Sequence, residues 1–374
     1  MSDGRRAMKR SGLSDFVVSK GALRFLPRNS KTAEAYAGSA VKLKVLVVLS
    51  ISILLLSCHN NPVDSGGGFP VKAGPILFIS DKSGSSQLYS MNEGGSNVQQ
   101  LTSDSAFPIL DAKWSPDGSK IAVVSLIGDE MTYPSFRDAI FIMNADGSNK
   151  YQLTKEWLDI YDSAWGMIEY GGAKNPVWSP DSKQIAYGRL MIPEALGNWD
   201  IFLINSDGTA ERRVTETVHL VEGAYDWSGD GKSLIGVVGD YTDTQRLCVF
   251  DLQGVVLRSW GSTGEMWGVP VLSRTGNQIA FGIHANYVDD VFVMSLQDTD
   301  GSGRVSLTNG KYLYPRPVAY STDDSKILLN VGYRNAEGYL HHEIVLMNSD
   351  GSAPKEITPF DADSADSEAA SWRR

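Results

Sequence analysis

Trp114-Ser115-Pro116-Asp117-Gly118-Ser119-Lys120-Ile121-Ala122 decides how the rest of the chain is read, because it comes back. It returns as Trp178-Ser179-Pro180-Asp181-Ser182-Lys183-Gln184-Ile185-Ala186 and as Trp227-Ser228-Gly229-Asp230-Gly231-Lys232-Ser233-Leu234-Ile235. Two worn copies, 272–280 and 320–328, keep the turn and the apolar strand but begin on Leu272 and Tyr320. A second element follows: Ile140-Phe141-Ile142-Met143-Asn144-Ala145-Asp146-Gly147, with counterparts at 201–208, 291–294 and 344–351. A third closes the unit as Leu153-Thr154, Val214-Thr215, Leu307-Thr308 and Ile357-Thr358.

Turn chemistry converts this repeat into strands. Proline presets φ at the second position of the Ser-Pro-Asp-Gly turn, and glycine takes the conformation other residues resist. Asn-x-Asp-Gly makes a tight hairpin after a β-branched and aromatic run. Each unit therefore reads as a four-stranded antiparallel sheet, apolar on both faces and unable to bury both alone. Counting Leu272, Tyr320 and Trp372 as equivalents of the tryptophan, the copies are spaced by 64, 49, 45, 48 and 52 residues, which suits propeller blades around an axis.

The two ends complete the count. Ile76–Ser80, Gln87–Gly95 and Leu101-Thr102 read as strands two, three and four without a first, and Ala369-Ala370-Ser371-Trp372 as a first strand with nothing after it. Together they make one blade, so the expectation is an all-β, six-bladed propeller over 74–374 with one blade closed by both terminal segments. Arg373 and Arg374 stand where the repeat has Pro and Asp, and are expected to cap the last strand.

This repeat resembles the propeller repeats of TolB-type and related WD-like bacterial propellers, over about 74–374. The resemblance implies the fold and an envelope setting, and is poor for function. TolB-type proteins carry an α/β domain ahead of the propeller, for which the interval from Cys58 to Ile76 leaves no room.

Ahead of the propeller, Val41-Lys42-Leu43-Lys44 leads into the apolar run Val45–Leu56 and then Ser57-Cys58. The run is shorter than the roughly 20 residues that span a bilayer and has the flanks of an export signal. Leu55-Leu56-Ser57-Cys58 resembles a bacterial lipobox, which implies lipidation of Cys58, a signal over 1–57 and a tether over 58–73 containing Ser65-Gly66-Gly67-Gly68. Val41 is an alternative start, which would leave 1–40 untranslated. His59 after the cysteine implies sorting to the outer membrane, facing the periplasm or the surface.

Charge agrees with export rather than nucleic-acid binding. Residues 1–57 hold 10 Lys/Arg against 3 Asp/Glu, leaving 24 against 41 in the remainder, an acidic body with no basic footprint. Once Cys58 carries lipid, Cys248 has no partner for a disulfide, and in the apolar run Leu247–Phe250 it reads as a buried structural thiol.

Function is expected on the face holding the longer connections, 128–138, 155–175, 189–199 and 332–342, because loops on a rigid scaffold carry recognition. These are aromatic: Tyr133, Phe136, Trp157, Tyr161, Trp165, Tyr170, Trp199, Tyr333 and Tyr339. Such rings stack on sugars, anchor peptides, or simply pack their own loops. The reading is a monomeric, cofactor-free binding scaffold for a protein, peptide or glycan. The alternative is a metal-dependent carbohydrate lyase or other glycan-active propeller enzyme, for which His284 and His341 are the metal candidates among His219, His284, His341 and His342, although no His-x-x-x-His spacing occurs.

Other apparent motifs dissolve into the repeat. Gly231-Lys232-Ser233 ends no phosphate loop, since Asp226 stands where that motif needs glycine. Asp298-Thr299-Asp300-Gly301-Ser302-Gly303 mimics a calcium loop, but Asn309 replaces its bidentate glutamate, and aligning Asp298–Thr308 on Asn144–Thr154 makes it a blade hairpin. No Gly-x-Ser-x-Gly elbow is present.

Overall fold

The computed structural model describes residues 73–127, 137–155, 172–191, 198–216, 220–239, 245–261, 266–285, 288–334, 340–359 and 366–373. They form six antiparallel sheets. Blade one shows the pattern, with strands Ile109–Trp114, Lys120–Ile127, Arg137–Asn144 and Tyr151–Gln152 paired in chain order. Blade two starts at Ala173–Trp178, blade three at Leu220–Trp227 and blade five at Leu313–Tyr320. In blade four the first strand is broken into Met266–Trp267 and Val271–Leu272.

Side chains of the repeat build the turns. The Ser115 hydroxyl donates to Asp117 Oδ1 at 2.6 Å and accepts the Lys120 amide at 2.9 Å, closing the turn from inside. Ser179–Asp181, Ser228–Asp230 and Ser321–Asp323 repeat the bond at 2.6, 2.7 and 2.6 Å. Those serine hydroxyls, with the turn amides, hold the aspartates below the usual carboxylate range, Asp323 at about 2.

The Leu-Thr element is a clamp between strands three and four. The threonine hydroxyl accepts a third-strand amide in five blades: Leu88 to Thr102 at 2.9 Å, Ile140 to Thr154 at 3.1 Å, Ile201 to Thr215 at 2.8 Å, Val291 to Thr308 at 3.0 Å and Ile344 to Thr358 at 3.0 Å. The hairpin glycine uses the same element from the preceding blade. Gly147 has φ 83°, and a Cβ there would lie 2.1 Å from the Leu101 carbonyl, so only glycine lets the two backbones approach.

Blade three departs from this scheme. Its fourth strand, Val256–Trp260, has five residues where each other blade has two, and it ends on a buried tryptophan in place of Leu-Thr. Trp260 Nε1 donates to the Asp298 carbonyl at 2.9 Å, tying blade three to blade four. In blade four the expected alignment of Asp298 on Asn144 fails. Strand three ends at Ser295, which occupies the place of Asn144, and the hairpin is longer. The Asp298 carboxylate organises that extension by accepting the amides of Asp300, Gly301 and Gly303 at 3.1, 2.9 and 2.7 Å.

The sixth blade is assembled from both ends as expected, in the order Ser367–Trp372, Ile76–Ser80, Gln87–Met91, Gln99–Gln100, with Trp372 opposite Ile76. The core is correspondingly a ring of six apolar layers, one between each pair of consecutive blades, including one between blades six and one. The repeated tryptophan belongs to these layers: the indole N–H of Trp178 reaches the Lys113 carbonyl and that of Trp227 the Val177 carbonyl, both at 3.1 Å in the preceding blade. Burying each such ring contributes roughly 4–6 kcal/mol before entropy is counted.

Candidate binding site at the propeller axis

First strands line the axis, and nearly all of them are irregular there. Pairing skips Leu110 between Ile109 and Asp111, Asn175 and Pro176 between Lys174 and Val177, and Tyr225 between Ala224 and Asp226. It skips Tyr314, Pro315 and Val318 in blade five, and Ala370 in blade six. A bulge adds one residue to one strand and re-aims its side chain. Here the re-aimed residues Leu110, Asn175, Tyr225, Val318 and Ala370 all line one cavity of 260 Å³ on the axis, with Val271 of blade four completing the ring. Pro176, Pro315 and Pro317 are tolerated because an innermost strand has no further strand to receive its amide.

The wall is laced across blades. Lys113 Nζ lies 3.1 Å from Asp111 Oδ1 and donates to the Ala370 carbonyl at 2.7 Å. Arg316 Nη2 meets Glu368 Oε2 at 2.5 Å, and the other Glu368 oxygen faces His342 Nδ1 at 3.4 Å. Asn330 forms a two-way amide contact with Ala369, at 2.8 and 2.7 Å. Asp226 accepts the amides of Trp227 and Leu272 at 2.9 and 3.0 Å, and Ser371 Oγ accepts the Trp114 amide at 3.1 Å. The carboxylates of the wall thus have protein partners, and the cavity is a shaped polar and apolar pocket on a rigid frame. Such a pocket suits recognition.

Of the nine expected loop aromatics, Tyr133, Phe136, Trp157, Tyr161, Trp165, Tyr170 and Tyr339 lie outside the described residues, as does Cys58. Tyr333 falls in the second strand of blade five, Lys326–Arg334. Trp199 is a strand residue rather than a loop residue, in Asn198–Asn205, and Lys174 Nζ sits 3.8 Å from its ring centroid. Burial raises the carboxyl of nearby Asp138, and the Lys174 ammonium partly offsets this. One face of the indole is therefore already occupied by a cation.

Among the described residues the histidines do not converge on a metal site. His284, in blade four, is half exposed with Nδ1 2.5 Å from Asp289 Oδ1, and Asp289 Oδ2 accepts the Tyr314 amide at 3.2 Å. His341 belongs to the third strand of blade five, and His219 lies outside the described residues. Among the described residues no three metal-ligating side chains come together. Cys248 is 3% exposed and burial pushes its thiol up to about 11, as expected of a structural cysteine.

Comparison with known proteins bears on the fold. The chain aligns with the TolB homologue of Chlorobaculum tepidum at 27% identity over 141 residues, 38% of this chain and 26% of that protein. The crystal structure of TolB from Acinetobacter baumannii superposes with a TM-score of 0.56 at 19% identity, covering 79% of this chain and 66% of that one. The propeller is TolB-like. The match to the Chlorobaculum homologue spans about a quarter of its length, and no family model matches the chain. A 64-residue stretch also aligns, at 39% identity, with SVP1-like protein 2 of Kluyveromyces lactis, 17% of this chain and 16% of that protein.

Within the TolB-like propeller, the axial residues Leu110, Tyr225, Arg316, Val318 and Glu368 escaped sequence reasoning. The signal available was proline inside a strand pattern, at Asn175-Pro176 and Tyr314-Pro315-Arg316-Pro317, which marks an irregular innermost strand.

Proposed function

We propose that this protein is a non-catalytic binding scaffold of the bacterial envelope, lipid-anchored through Cys58 in the outer membrane. It captures a protein, peptide or glycan at the axial cavity and on the loop-rich face. We assign the expected aromatics Tyr133, Phe136, Trp157, Tyr161, Trp165, Trp199, Tyr333 and Tyr339 to that face. One observation supports the reading above others: bulges in the first strands aim side chains from separate blades at a single axial cavity. Evolution of a merely structural ring has no need of such bulges, which cost pairing.

The test is a capture experiment from envelope extract with the wild-type protein and a Leu110→Glu/Val318→Glu variant that places charge in the axial cavity. A protein or glycan retained by the wild type and lost by the variant supports the reading; equal recovery overturns the axial site. Cys58→Ala should move the protein from the membrane to the soluble fraction, and unchanged fractionation overturns the anchor. Turnover of acidic oligosaccharides by the purified, metal-analysed protein would replace the scaffold reading with the lyase.

A further inference from the structure

The outer edges of the blades are short, with one exception. Among the described residues the fourth strands of five blades have two residues each, whereas blade three ends on Val256–Trp260, five residues long and outermost in its sheet. Alternate amides and carbonyls of an outermost strand point away from its sheet, with no further strand to receive them. The strand is held at both ends. At its start the Asp251 carboxylate accepts the amides of Gln253 and Val255 at 2.9 and 2.8 Å, and at its finish the Trp260 indole donates to the Asp298 carbonyl. The edge is thus a preformed template.

Its side chains are of two kinds. Val255, Val256 and Leu257 are between 50% and 57% accessible, the only run of three large apolar residues so exposed among the described residues. Around them stand the exposed arginines Arg246, Arg258 and, from blade two, Arg212. Arg212 donates to the Leu252 carbonyl at 2.8 Å and Arg258 to the Leu296 carbonyl at 2.5 Å. Arg246 lies where the strand ends, since a Cβ on Gly261 would sit 3.1 Å from its Cγ. Elsewhere arginines meet carboxylates, as Arg213 does with Asp200, Arg189 with Glu211 and Arg316 with Glu368. Among the described residues no carboxylate pairs with the three arginines of this edge. The acids beside it are already engaged by backbone amides, Asp251 in its own turn and Asp298 in its own hairpin.

We propose that the outer edge of blade three is a docking strand for an extended segment of a partner protein that alternates apolar and acidic side chains. In strand addition the main chain supplies affinity and the side chains on the two faces supply selectivity. Val256 and Ser259 pair with Phe250 and Cys248, which pack toward blade two, while Arg258 and Trp260 pair with Val249 and Leu247, which pack toward blade four. Cations therefore lie on both faces, Arg212 on the first and Arg258 on the second, and an added strand meets one whichever way its acids point. Other occupants fit less well. A second copy sets arginines against arginines, and three apolar side chains cover far less than the roughly 800 Å² per partner of a stable interface. The segment 1–57, with 10 Lys/Arg against 3 Asp/Glu, has the wrong charge. A lipid surface leaves the edge amides and carbonyls unpaired. The proposal stands apart from the axial cavity and from the anchor at Cys58.

The test uses the full chain with Cys58→Ala, so that no lipid contributes, and a fluorescent peptide of four Val-Glu repeats read by anisotropy. Saturable binding that weakens with salt is expected, and a Val-Lys peptide should not bind. Arg212→Glu/Arg258→Glu should weaken binding about tenfold, and Leu257→Lys should also weaken it. All three positions are exposed, so melting temperatures should stay at the wild-type value, and variants of the peptide test the proposal without touching the fold. N-methylation of every second peptide amide should abolish binding in one frame and be tolerated in the other. Tolerance in both frames overturns strand addition, and equal binding of the Val-Lys peptide overturns the acidic partner. Absence of Val-Glu binding overturns the proposal outright. So would sedimentation showing a dimer that Leu257→Lys breaks, which gives the edge to a second copy, or flotation with phosphatidylglycerol vesicles that the arginine variant loses, which gives it to lipid.

Discussion

Arg373 lays its guanidinium over the ring of Trp114, 5.0 Å from the centroid, so the last described residue of the chain packs on the first tryptophan of the repeat. The Trp372–Ile76 pairing closes blade six, and this contact ties it to blade one. Trp372 is 3% exposed, and Trp372→Ala should cost about 3–5 kcal/mol by leaving a cavity in the last apolar layer. Arg373→Ala removes a cation–π contact and the side-chain hydrogen bond to the Ala73 carbonyl, keeps the backbone bond to Pro75, and should cost about 1–2 kcal/mol. Deleting 369–374 should cost more than either, because it exposes the inner edge of Ile76–Ser80. Urea unfolding ranks the three; a truncated protein as stable as the wild type would refute closure by pairing.

Thr154 supplies the acceptor for the Ile140 amide, at a site where both residues are nearly inaccessible to water. Thr154→Val keeps the shape and removes the acceptor, leaving a buried N–H unsatisfied at about 1–3 kcal/mol, whereas Thr154→Ser should retain most of the stability. The same contrast is expected at Thr215, whose hydroxyl serves Ile201. Chemical unfolding of the Val and Ser variants side by side reads it, and a larger loss for Ser than for Val would show that the methyl, not the hydroxyl, is what the clamp needs.

What could be read from sequence was what local chemistry determines. Ser115, Asp117 and Gly118 act within one turn, so their spacing shows in any single copy, and repetition then supplies the sheet, the ring and the joining of Trp372 to Ile76. The axis was not legible because a bulge is a property of two paired strands. Nothing within Ile109–Trp114 says that Leu110 will be the residue left unpaired. Trp199 was visible as an aromatic but misplaced, since its strand begins one residue earlier, at Asn198. Asp298 was misaligned because an acidic, glycine-containing stretch imitates the hairpin of Asn144 while lying inside a longer one.

Glu343 breaks a pattern shared by other blades. The acid preceding the third-strand apolar run faces a donor elsewhere: Asp200 meets Arg213, and Asp290 accepts from Ser306 at 2.6 Å and from Thr308. In blade five the corresponding fourth-strand residue is Glu356. Burial, and then the charge and hydrogen bond of Glu356, push the Glu343 carboxyl up to about 7 from its ordinary 4.5. A carboxyl whose pKa is raised on folding adds stability that is complete below the unfolded value and is lost as pH rises through the folded one. The melting temperature should therefore fall between about pH 4.5 and 7 through this pair, and Glu356→Gln should flatten that fall by giving Glu343 a donor. A slope unchanged in the variant would assign the pH dependence elsewhere.

Tyr314 holds a left-handed backbone, φ 46°, immediately before Pro315, near the start of the first strand of blade five, with the residue 54% exposed and its amide fixed by Asp289. For an aromatic residue this conformation costs about 1–2 kcal/mol that its few contacts do not return. Glycine adopts it freely, though with a larger entropy loss on folding of about 0.5–1 kcal/mol. Tyr314→Gly should thus fold within about 1 kcal/mol of the wild type, while Tyr314→Val, β-branched at positive φ, should lie about 1–2 kcal/mol below the glycine variant. Thermal melts of the two give the strain directly. Strain of this kind persists where the residue is needed for something other than folding, so the glycine variant should keep its melting temperature and lose capture of the envelope partner. Full capture without the ring would show that Tyr314 is tolerated in this position rather than used there.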